Sequence, residues 1–203
     1  MTVERGVDWG RPGALGADGV TVRTDAEARA VVERARRAGD PVPPLGLLGG
    51  DLCRTLGGRG DEARLRSAEA TTLTCDLGGV LVDGRIHWFV AHAVLRRSWW
   101  RGRVVAVMNA KWLGRWDVAH RAHPGDGLLD VLDGDLPLGD RWKARARLSA
   151  GTHVPHPGIK VSRVAAAPVD LDPALDVWLD GERIGRARSV SVRIERDALT
   201  VVV

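Results

Sequence analysis

Hydrophobic and polar positions along the chain change period at about residue 70. Before it, the clearest signal is helical: Ala28, Val31, Val32 and Ala35 recur on one face, with Arg29, Glu33, Arg36 and Arg37 on the rest. Thr24 is the expected N-cap, Glu27 completes a capping box, and Gly39 is the stop. One short strand is expected within Leu15–Val22, and a second at Leu45–Leu48 after the rigid Pro41, Pro43, Pro44 connector. A helical turn over Leu52–Gly57 and a short helix over Asp61–Ala70 follow.

From Thr71 the pattern is period two. Thr71–Val82 and Arg85–Leu95 flank Asp83-Gly84, a strong hairpin signal. Further strands are expected at Arg103–Asn109, Leu128–Leu132, Ile159–Ala167, Asp176–Leu179, Ser189–Ile194 and Leu199–Val203, about eight in all. Leu138–Ala150 reads as one basic helix with Leu138, Trp142 and Ala146 on one side. The predicted fold class is α+β, mainly β: an antiparallel β-sandwich over residues 71–203, preceded by a small truncated α/β segment over residues 1–70, to which the last strands return.

At 203 residues, with 44% hydrophobic and 28% charged residues, the chain can bury a substantial core, which excludes wholesale disorder. It contains no apolar run of the ~20 residues that a membrane span needs. Met1–Gly13 is charged and punctuated by Pro and Gly, unlike a signal peptide, so a soluble cytoplasmic protein is expected. Cys53 and Cys75 make no disulfide framework and read as buried thiols. The net charge of +4 is mild, and the arginines are interleaved with acids. With no Tyr and one Phe to stack bases, specific nucleic-acid binding is not expected.

Several local patterns carry chemistry. Asp180-Gly181-Glu182 places two carboxylates about a turn, as a hairpin or as a base or metal-ligand pair. His123-Pro124-Gly125-Asp126-Gly127 sets a carboxylate in a glycine-rich loop, suited to a hard cation or simply to a turn. Gly49, Gly50 and Asp51 end a strand, where glycines admit a phosphate to the backbone. The pairs His120/His123 and His153/His156 lie among prolines with no third ligand placed. Trp99-Trp100 and Trp112/Trp116 read as packing, or as a lipid-facing surface.

In order along the chain, three segments resemble the diacylglycerol kinase and sphingosine kinase-like family of bacterial lipid kinases. They are Pro44–Gly57, then Val107–Ala110 with His123–Val131, then Gly151–His153 with Val177–Gly185. The resemblance covers about residues 41–203. It implies an ATP-holding α/β domain, a C-terminal β-sandwich that contributes to a lipid site, and a cleft between them. It implies Asp180 as general base with Glu182 beside it, Gly49, Gly50 and Asp51 at the nucleotide, and Asp126 at a structural magnesium. The family's GGDGT loop has only an echo here, Gly16-Ala17-Asp18-Gly19-Val20, which places Asp18 at the nucleotide. Several βα units of the first domain are missing.

The resulting expectation is a lipid-kinase-family protein with a degenerate ATP site and a lipid-binding, regulatory or accessory role. The alternative is an active ATP-dependent kinase of a lipid hydroxyl, using Mg and ATP and completed by oligomerisation. A phosphate- or nucleic-acid-binding β module is the third. Expected partners are a lipid, a membrane surface through Trp99-Trp100, and a second copy that covers the sandwich.

Overall fold

The computed structural model describes residues 9–203; the start of the Met1–Gly13 stretch, residues 1–8, lies outside them. A two-residue β1 (Arg11–Pro12) leads into β2 (Val20–Val22), α1 (Asp25–Ala38) and β3 (Leu45–Leu47). Thr24 caps α1 by accepting from the Glu27 N–H at 3.1 Å, and Glu27 in turn accepts from the Arg23 N–H at 2.7 Å. Gly39 ends the helix at φ 76°, a backbone position that glycine adopts without a Cβ clash. The β2–α1–β3 unit is a parallel pair, with Val20 opposite Leu45 and Val22 opposite Leu47. Two short helices follow, α2 (Gly50–Thr55) and α3 (Glu62–Leu65). The helix expected over Asp61–Ala70 thus makes one turn before the chain enters the large sheet.

The remaining elements are β4 (Thr71–Val82), β5 (Arg85–Phe89), β6 (His92–Arg96), β7 (Val104–Met108), β8 (Trp112–Leu113), β9 (Trp116–Asp117), β10 (Leu129–Gly134), α4 (Leu138–Leu148), β11 (Ile159–Val164), β12 (Ala166–Leu179) and β13 (Glu182–Val202). The strands beyond residue 70 number ten rather than eight. The fold is α+β and mainly β. One antiparallel sheet runs β4-β13-β12-β6-β7-β10-β11 and folds over on itself. Its facing sides enclose a core of Val80, Phe89, Leu95, Val107, Leu171 and Leu179.

Both Asp-Gly hairpins form as expected, with positive φ at Asp83, Gly84, Asp180 and Gly181. The run Arg85–Leu95, read as one strand, is two. β5 pairs only with β4, the chain turns at Val90-Ala91, and β6 pairs with β12 and β7. Ser189–Ile194 and Leu199–Val203, read as two strands, are parts of β13, interrupted by a bulge where Asp197 takes φ 53°. The last residues of β13 lie parallel to β3, Val201 against Leu45. A second core, with Ala28 and Val32 of α1, Leu45, Leu52, Cys75 and Val201, joins the βαβ unit to the sheet. Cys53 and Cys75 are free buried thiols.

Candidate functional site

In parallel α/β units, polar groups collect where strands end and helices begin. Here β2 passes into α1 through Arg23-Thr24, so Asp25 is the first residue of the helix. β3 passes into α2 through Leu48-Gly49-Gly50, which brings the start of α2 onto Asp25. The Asp25 carboxylate accepts from the N–H groups of Asp51 at 2.5 Å and Leu52 at 3.1 Å. This approach requires glycine at position 50. Gly50 has φ +94°, and a Cβ there would stand 2.5 Å from Asp25 Oδ1.

Asp180 reaches the same region from the β12–β13 turn. Its buried carboxylate accepts three backbone N–H bonds, from Val90 at 2.9 Å, Ala91 at 2.9 Å and His92 at 3.1 Å. Its own N–H donates to the His92 carbonyl at 3.0 Å. Asp180 therefore holds the corner at which β5 becomes β6. His92, buried beside it, places Nε2 3.0 Å from Asp51 Oδ2, which also accepts from the Gly114 N–H at 2.8 Å.

Three carboxylates and one imidazole thus share a largely dry volume, and their proton affinities are coupled. Asp25 is pushed up to about 7, first by burial and then by the charge of Asp180, against the two N–H bonds it accepts. Burial also raises Asp180, against the charge of His92 and three N–H bonds. Burial would lower His92, but the Asp51 hydrogen bond and the charges of Asp180, Asp51 and Asp25 raise it above the ordinary imidazole range. Burial would raise Asp51, but the bonds from His92 and Gly114 bring it below the ordinary range.

Two predicted residues, Asp180 and Asp51, therefore meet through His92, with Gly49 and Gly50 at the same strand end. Glu182 points the other way. Its mostly exposed side chain ion-pairs with Arg29, one turn along α1 from Asp25. Asp18 is exposed in the turn before β2, at the opposite end of that strand from Asp25. Asp126 lies apart, in the loop before β10. It accepts from the Leu128 N–H at 3.0 Å and pairs with Arg163, whose Nε is also 3.4 Å from Asp130. Asp76 beside it accepts from Gly127 at 2.6 Å and Asp197 at 2.9 Å.

Sequence reasoning missed Asp25 and His92. Asp25 had a usable signal, a carboxylate directly after a helix cap at the end of a strand. His92 had none, because it sits within an apolar run and its partner is 41 positions away.

The groups implied by the resemblance fit this arrangement poorly. Magnesium takes an all-oxygen, near-octahedral set. Among the described residues, the one cluster with ligand atoms within 4.8 Å of each other is Asp25, Asp51 and His92, which includes an imidazole. At Asp126 a guanidinium already supplies the positive charge. A nucleotide phosphate at the start of α2 would need N–H groups that Asp25 already takes.

A separate apolar cavity of about 140 Å³ lies between α4 and the outer face of β7, β10 and β11. Trp99, Trp116, Ala106, Leu132, Leu148 and Ile159 line it. Trp99 and Trp116 meet edge to face at 5.7 Å, and Arg145 lies 4.8 Å over the Trp116 ring.

The model of the YegS C-terminal NAD kinase beta sandwich-like domain matches residues 79–203, more than half of the chain. The chain belongs to this family. The family expected from the sequence is thereby shown; of the three segments that resembled it, the second and third lie within the matched residues. Among solved structures, a diacylglycerol kinase from Bacillus anthracis strain Sterne is similar at 14% identity and a TM-score of 0.66, over 91% of this chain and 77% of that one. A second, assigned as a diacylglycerol kinase of the same strain, gives 15% identity and 0.66 over 91% and 76%. At such identities the likeness is one of fold. No curated protein matches by sequence.

Proposed function

We propose that this chain is a lipid-binding member of the diacylglycerol kinase-like family whose nucleotide site is closed by its own carboxylate. The observation that carries this reading is Asp25 on the N–H groups of Asp51 and Leu52. Those groups and the glycines before them are what a phosphate would use, and the oxygens of an internal carboxyl group already satisfy them. Asp180 supports the same reading. A general base must reach a substrate hydroxyl, whereas this carboxylate is buried under three backbone donors. The cavity beneath α4 offers the ligand site. An apolar volume near 140 Å³ is about the size of one that takes up benzene, and so fits a stretch of acyl chain. Arg145 at its wall offers charge to an anionic headgroup.

The alternative, an ATP-dependent lipid kinase, draws on the retained Asp51, Asp180 and Glu182. Calorimetry with ATP–Mg separates the two. The proposal expects no binding at millimolar nucleotide, together with a saturable change of tryptophan fluorescence on adding a monomeric short-chain phospholipid. Micromolar ATP–Mg binding that disappears in Asp51→Ala would establish the kinase reading instead.

A further inference from the structure

An amphipathic helix on a protein surface ordinarily turns its apolar stripe inward. Helix α4 turns Ala144 and Leu148 toward the cavity, yet carries a second apolar stripe outward. Leu138, Trp142 and Ala146, spaced four apart, face solvent, with Leu138 57% and Trp142 59% exposed. The inward side also holds Arg141, buried with its guanidinium on the carbonyls of Leu136, Trp99 and Gly102 and on Asp135. Across from the stripe, Trp100 is 41% exposed and packs on Trp142 at 5.0 Å. Two tryptophans and a leucine thus form one outward apolar patch. The other exposed large apolar side chains, Leu81, Ile86 and Val161, are aliphatic strand residues.

The surroundings of the patch are basic. Residues 96–103 hold four arginines and no acid. In α4, Lys143, Arg145 and Arg147 accompany the stripe, and the helix's one acid, Asp140, is 3.1 Å from Lys143. Arg145 lies 5.1 Å over the Trp100 ring. Exposed tryptophans ringed by arginine and lysine suit the headgroup level of an anionic bilayer: the rings enter the interface and the cations meet lipid phosphates. No helix among the described residues is long and apolar enough to cross a membrane.

We propose that α4 and the Trp100 loop dock this protein on an anionic bilayer surface. The patch shares Trp100 and α4 with the wall of the apolar cavity, so docking brings that cavity to the lipid. The docking does not depend on the cavity being filled, and the two are tested apart.

The test is flotation of the full chain with vesicles of phosphatidylglycerol or of phosphatidylcholine. Partition into phosphatidylglycerol is expected, weakening with salt, and little into phosphatidylcholine. The double variant Lys143→Glu, Arg147→Glu removes two exposed cations and should lower partition roughly 30-fold or more. Leu138→Ser, Trp142→Ser should lower it at least about ten-fold and abolish fluorescence quenching by brominated lipid at this patch. These side chains are exposed, so both variants should keep the wild-type thermal midpoint and the response to monomeric short-chain phospholipid. Absence of wild-type partition into phosphatidylglycerol, or equal partition by all three proteins, overturns the proposal. Vesicle binding without a response to monomeric lipid would leave the docking surface standing and remove the cavity reading.

Discussion

Asp25→Asn probes the electrostatics of the closed site directly. In the folded protein the Asp25 carboxyl titrates at about 7, against 3.8 for the ordinary group. The folded state therefore binds a proton more tightly than the unfolded chain, and stability falls as pH rises between those two values and just beyond. Linkage gives a loss of roughly 2–3 kcal/mol from about pH 5 to about pH 8 attributable to this one group. His92 acts in the same direction, because its raised folded value contributes stability that is lost as pH climbs. Asp25 is one of the charges that raise it, so the substitution flattens that contribution as well. Asp51, lowered, loses its contribution only on acidification and stays outside this window. The asparagine side chain has one carbonyl oxygen where the carboxylate served two N–H groups, at a pH-independent cost of about 1 kcal/mol. Urea unfolding across the pH range is the assay. The wild type should lose stability toward pH 8 far more steeply than Asp25→Asn. Parallel profiles would refute the reasoning, because they would mean that Asp25 is ionised and solvated in the fold.

The two carboxylates of the Asp180–Glu182 turn should separate sharply in the same unfolding assay. Asp180→Asn sets an amide donor against three backbone donors and should cost about 3 kcal/mol. Glu182→Gln should cost less than about 1 kcal/mol, since its carboxylate is mostly exposed. At Gly78, whose added Cβ would run into the buried Phe89 ring, alanine should cost about 1–3 kcal/mol by urea denaturation, and Phe89→Leu in the same chain should recover part of it. Arg163→Ala leaves Asp126 and the buried Asp130 without the cation between them and should lower the thermal midpoint, more at pH 8 than at pH 5; an unchanged midpoint would show that the ion pairs contribute nothing to the fold.

Elements set by local chemistry were legible in the sequence. The Thr24–Glu27 cap, the Gly39 stop and the Asp83-Gly84 and Asp180-Gly181 turns each rest on residues a few positions apart. Elements set at a distance were not. Arg85–Leu95 reads as one strand because nothing within it marks a corner; the corner is made by Asp180, about ninety residues on, binding three consecutive N–H groups. The length of β12 was not legible: Asp176–Leu179 reads as a short strand of its own, yet it continues one that starts at Ala166 and whose register shifts between Asp170 and Leu175. The stripe of Leu138, Trp142 and Ala146 was visible as a periodicity, yet periodicity does not say which side of a helix meets solvent. The strand-end glycines and Asp51 were legible from their position after an apolar run. That Asp25 would close the same spot was not, because 26 residues and a helix separate the two.

The parallel pairing of β3 with the last residues of β13 has a consequence for biogenesis. Leu45 and Gly46 are made 156 residues before the strand that flanks them, Val201-Val202. At typical elongation rates the β2–α1–β3 unit waits on the order of ten seconds or more with one edge open. The β3 edge of that unit is therefore completed only when Val201-Val202 emerge, and until then it is open to pairing with another strand.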